Sequence, residues 1–139
     1  MYTSDIKQRA KKTALLYFCV SVFCAVFGAV YETFGHGVFS FFMAFCFLPP
    51  LLLGCAPFFA VYLSGIGMPE RLAYNIYNYG IETITVGFVF RGVIEIYGTT
   101  NKLAHIYSGV GALFMLSGAI IWLVDVIRHK KTIENNKNM

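Results

Sequence analysis

The sequence predicts an all-α polytopic membrane protein, four transmembrane helices in a small bundle with the second helix kinked at Pro49-Pro50. Three observations carry this expectation. Hydrophobic residues make up 58% of the chain and charged residues 13%, where a soluble domain carries about 25% charge. Four apolar runs, near residues 13–32, 38–63, 74–98 and 103–127, each reach the ~20 residues needed to cross a hydrocarbon core. Basic residues also gather on one side of these runs. Lys7, Arg9, Lys11 and Lys12 precede the first, Arg71 links the second and third, and Arg128, Lys130, Lys131 and Lys137 follow the fourth. Only Lys102 lies in a connection on the other side. The positive-inside rule then puts both termini in the cytoplasm, as expected for an integral protein of a bacterial-type cytoplasmic membrane. The chain divides into a basic lead (1–12), the bundle (13–127) and a polar tail (128–139).

The lead suits anionic headgroups, which attract it by about 1 kcal/mol per basic residue. It has too little charge for a nucleic-acid arm. The first run is followed by Tyr31-Glu32-Thr33-Phe34 and by no small-residue cleavage pattern, so it reads as a span and not a signal peptide. Its small residues Ser21, Ala25, Gly28 and Ala29 form a face for close helix approach. Gly35 and Gly37 flank His36 and turn the chain tightly into the second run. There Pro49, Pro50 and Pro57 each remove a backbone donor and crowd the preceding turn. Carbonyls near Phe45 and Cys46 are thereby freed and need other partners. Broken spans of this kind occur at mid-membrane ion sites and also where neighbouring helices tolerate a bend.

Gly65 and Gly67 stop the second helix, while Pro69 and Glu70 suit the start of the third. The third run is the unusual one. Asn75, Asn78 and Glu82 recur at helical spacing on its cytoplasmic half, whereas Arg91 and Glu95, four apart, lie nearly opposite on its outer half. Charges within a span cost roughly 2.5–3.5 kcal/mol each on insertion scales, so they face protein or water. One helix with two polar faces needs a lateral cavity or a second copy for one of them, and a homo-oligomer or larger membrane complex is expected. Gly98 fits a helix C-cap, and Thr100 or Asn101 an N-cap for the fourth run. The fourth run offers Ser108, Gly111, Ala112, Gly118 and Ala119 for packing, Trp122 for the inner aromatic belt, and Asp125 as a partner for Arg128. The tail from residue 132 is rich in Asn and Lys, a composition that predicts disorder.

Cys19, Cys24, Cys46 and Cys55 all fall within runs, where thiols stay reduced and act as small apolar groups. Five positions separate the first two, which is neither a CxxC redox spacing nor a zinc spacing. The chain also lacks a nucleotide-binding loop, a nucleophile elbow and a zinc-protease motif, so the composition leans away from an enzyme and requires no cofactor. Its size and layout are shared with small multidrug exporters and fluoride channels, but their diagnostic residues are missing.

Two places can carry chemistry. Glu32, His36, Arg91, Glu95 and His105 share one layer toward the outer face. Glu32 and Glu95 end helices and His36 and His105 begin them, so each placement opposes its own helix dipole until a partner compensates. This layer could serve as an ion or proton site, with a metal site or an axial haem pair at His36 and His105 as weaker options. On base rates it reads first as a polar network that pins helix ends. Glu82, with Asn75 and Asn78, is the second place, suited to proton or cation exchange or to an interhelical hydrogen bond. The expected function is transport or channel activity toward a cation or proton. The alternatives are an accessory subunit of a membrane complex and a small redox carrier.

Overall fold

The computed structural model describes residues 2–35, 37–65, 67–99, 102 and 104–137. Those residues are helical or lie in short links, with no strand among them. Helix α1 is Tyr2–Phe34, α2 is Phe41–Ala44, α3 is Ala56–Ser64, α4 is Arg71–Ile96 and α5 is Ala104–Lys137. Three stretches are long and apolar enough to cross a membrane: Ser4–Phe34, Phe41–Ser64 and His105–Asn135. Helix α4 is not among them, although its 26 residues extend about 39 Å at 1.5 Å per residue. Its asparagines, threonines and charges lower its hydropathy below that of its neighbours.

Two boundaries differ from expectation. Helix α1 begins at Tyr2, so the basic lead is its first turns and not a separate segment. Helix α5 continues to Lys137 and takes in part of the tail for which the composition predicts disorder. Once a long apolar helix has formed, adding a residue costs no new nucleation, and Lys and Glu propagate a helix well.

The second apolar stretch is built of pieces. Ser40 caps α2, three turn residues follow, and Pro49–Cys55 form a π-helix that passes into α3. The prolines explain where its hydrogen bonds go. Pro57 cannot donate to the carbonyl of Leu53, and the hydroxyl of Tyr77 on α4 donates to that oxygen instead, at 2.8 Å. The carbonyl of Phe45, four before Pro49, accepts from the Leu48 amide at 3.1 Å. The Ser21 hydroxyl on α1 donates to the Phe47 carbonyl at 3.0 Å. A hydroxyl on a neighbouring helix thus takes over the carbonyl that Pro57 strands, which inside a bilayer has no water to turn to.

The elements line up in space as α1, the Phe41–Ser64 stretch, α4 and α5, with α5 packed along α4. The α4–α5 seam depends on glycine. A Cβ on Gly80 would stand 2.4 Å from the Met115 amide nitrogen, and one on Gly118 would stand 2.5 Å from that of Tyr77. Lipid tails are as apolar as leucine, so such close packing and hydrogen bonds, more than water exclusion, hold helices together here. The core lies in the half of the bundle nearer the α1 start. Phe58 is fully buried there among Ala14, Tyr17, Tyr77 and Ile81. Trp122 stacks on Phe58 at 5.5 Å and donates its indole N–H to the Gly67 carbonyl. It packs on the core and ties the α3–α4 link to α5. Large side chains such as Phe23, Leu113 and Leu123 cover the outside and are exposed, as a lipid-facing surface requires.

Candidate functional site

Beyond the end of α1 the chain turns at Gly35 and reaches Ser40. Ser40 is almost wholly buried, and it joins two carboxylates from different helices. Its amide donates to Glu32 Oε1 of α1 at 3.0 Å. Its hydroxyl donates to Glu95 Oε2 of α4 at 2.8 Å. The same hydroxyl oxygen caps α2 by accepting from the Met43 amide at 3.4 Å.

On the far side of Glu95, the Arg91 Nε donates to Oε1 at 3.3 Å, one helical turn away. The Arg91 guanidinium carbon lies 3.8 Å from the centre of the Phe42 ring, a cation–π contact. Arg91 Nη1 also lies 3.4 Å from His105 Nδ1 of α5, which accepts when the ring is neutral. A continuous polar chain therefore runs Glu32, Ser40, Glu95, Arg91, His105 and touches four helices. Two carboxylates meet on one serine, and one guanidinium contacts Glu95 of the two. With both carboxylates ionised the group is one negative charge in excess, which a proton or a monovalent cation would cancel. Glu95 and Arg91 keep about a third of their side-chain surface accessible (31% and 28%).

The layer read from the sequence is thus assembled for Glu32, Arg91, Glu95 and His105. His36, the remaining member and the other half of the haem pair, lies outside the described residues. Among the described residues, no three His, Cys, Asp or Glu side chains converge as metal ligands. Ser40 was not singled out in the sequence, although a serine after a glycine turn and directly before an apolar run is a helix-start signal.

The inner stripe divides. Asn78 is buried and accepts a 2.6 Å hydrogen bond from the Tyr17 hydroxyl of α1. Thr13 and Tyr74 join the same two helices through hydroxyls 3.0 Å apart. Asn75 and Glu82 are exposed, and with Lys12, Leu16 and Tyr79 they line a cleft of about 360 Å3 between α1 and α4. Thr85 turns inward and donates to the Ile81 carbonyl of its own helix at 2.8 Å. The two polar faces of α4 are thereby separated: Arg91 and Glu95 meet the bundle, and Glu82 faces outward beside a lateral opening.

At the opposite end Asp125 does not pair with Arg128. Its Oδ2 is buried without a hydrogen-bond partner among the described residues. Three positions along a helix bring side chains to one face, but α5 turns that face so that Arg128 is exposed while Asp125 is half-buried. The four cysteines are free. Compared with known proteins, the chain matches no family model, no curated protein and no solved structure.

Proposed function

We propose that this chain is a small transport-type membrane protein that handles a proton or a cation through its intramembrane carboxylates. In this reading it crosses the bilayer four times with both termini cytoplasmic, and its second passage bends at Pro49-Pro50. The passage of α4 is supported by its place between two apolar stretches and by the short links that join it to them. Its charges are then tolerated because Arg91 and Glu95 face protein.

The observation that carries the reading is the meeting of Glu32 and Glu95 on Ser40 with one guanidinium beside them. An excess carboxylate in a helix bundle holds a proton or a cation, and Arg91, which stays charged, holds Glu95 in place and contacts His105. Glu82, exposed in the lateral cleft, is the inner exchange group. Reconstituted into proteoliposomes, the protein should pass protons or monovalent cations, and Glu82→Gln or Glu95→Gln should remove that flux.

A second reading is favoured by the exposure of Glu82 and of the outer face of α5. An accessory subunit would present these surfaces to another membrane protein, and a homo-oligomer would cover them with a second copy. The mass of the detergent-solubilised protein separates these: an oligomer with flux supports the transporter, and a monomer without flux supports the accessory subunit.

A further inference from the structure

At the end of the bundle that carries the α1 start and the α5 tail, a hollow of about 270 Å3 opens between the α3–α4 link and α5. Ile6, Met68, Val126 and Ile133 make its walls apolar, and Asp125, Glu70 and Lys130 supply charge of both signs. Trp122, one turn before Asp125, bonds to Gly67 and holds the link against α5, which keeps the hollow formed. The carboxylate oxygen Asp125 Oδ2 is buried and lacks a donor among the described residues. A buried acceptor of that kind is costly to leave unmade and favours any ligand that brings an N–H group to it.

We propose that this hollow binds the headgroup of an aminophospholipid, with its primary ammonium on Asp125 and its phosphate toward Lys130. The charges determine this choice. A lone amine would leave Lys130 without a role, and an anionic headgroup would meet two carboxylates. A zwitterion that carries ammonium and phosphate a few bonds apart meets both signs, and its glycerol and first methylenes fit the apolar walls. The hollow also lies near the ends of three membrane-length stretches, the level at which headgroups meet a helix that crosses the hydrocarbon core. A choline headgroup carries the same charges but no N–H, so it cannot satisfy Asp125.

Trp122 is the only tryptophan of the chain, and it borders this region, so its emission reports occupancy. The full-length protein in detergent is titrated with short-chain phosphatidylethanolamine, its N-methyl and N,N-dimethyl derivatives, and phosphatidylcholine. Phosphatidylcholine should bind at least about fivefold more weakly than phosphatidylethanolamine, while the N-methyl and N,N-dimethyl lipids, which keep an N–H, stay close to phosphatidylethanolamine. Asp125→Asn should abolish the difference between the ethanolamine and choline lipids. Equal affinity for the ethanolamine and choline lipids overturns the proposal, and that comparison stands on the wild-type protein alone if the variant does not fold. O-phosphoethanolamine, the soluble headgroup, serves as competitor. Displacement at concentrations equal to the lipid's would assign the site to a soluble amine and also overturn the lipid assignment.

Discussion

Ser40 Oγ donates to Glu95 Oε2 across 55 positions of sequence, at 2.8 Å. This one hydrogen bond joins the turn after α1 to the C-terminal half of α4, and the amide of the same serine holds Glu32. Ser40→Ala removes the cap of α2 and the hydroxyl donor to Glu95 together. A capping serine contributes about 0.5–2 kcal/mol. Thermal unfolding in detergent should therefore show Ser40→Ala destabilised by about that amount, with Ser40→Thr close to wild type. An unchanged midpoint for Ser40→Ala would mean the hydroxyl carries no load in the fold.

Removing Arg91 leaves the carboxylate pair without its contacting cation. Arg91→Met should destabilise the protein, and Arg91→Met with Glu95→Gln should recover part of the loss, because an unpaired charge in a low-dielectric setting is worse than no charge. Arg91→Lys should not restore the wild type, since an ammonium cannot reproduce the planar contact with Phe42 or the directed contacts to Glu95 and His105. Equal stability of the single and double variants would show that Arg91 and Glu95 are not coupled.

Tyr17 and Asn78 form the buried polar contact between α1 and α4. Interhelical hydrogen bonds within membranes contribute about 0.6–2 kcal/mol. A double-mutant cycle of Tyr17→Phe and Asn78→Leu should return a coupling of that size. A coupling near zero would assign the contact to packing alone.

Gly80→Ala tests the α4–α5 seam. In an unconstrained helix alanine is favoured over glycine by about 1 kcal/mol, but here the new Cβ would press on the backbone of Met115. Backbone cannot swing aside as a flexible side chain can, so the sign should reverse and cost about 1–3 kcal/mol. Faster hydrogen exchange in α5 than in α1 would locate the damage. A stabilised variant would mean the helices sit further apart.

The helical class and the three most apolar stretches were legible because composition and run length decide them. Glu32, Arg91, Glu95 and His105 could be placed in one layer because helix length converts position into depth. What depth cannot supply is a rotation angle about each helix. The meeting of Glu32 and Glu95 on Ser40, and the pairing of Tyr17 with Asn78 across 61 positions, depend on which faces turn toward each other. The same limit explains Asp125, which is half-buried while Arg128, three positions on, is exposed. Pro57 was readable as a break, but the donor that Leu53 would find on Tyr77 was not.

The most direct measurement of the central claim is proton and monovalent-cation flux into proteoliposomes containing the purified wild-type protein, Glu82→Gln and Glu95→Gln, each first shown to be folded and inserted. The account predicts flux above empty liposomes for the wild type and its loss in both variants. Folded, inserted wild-type protein that gives no flux, or variants that conduct as well as the wild type, would contradict it.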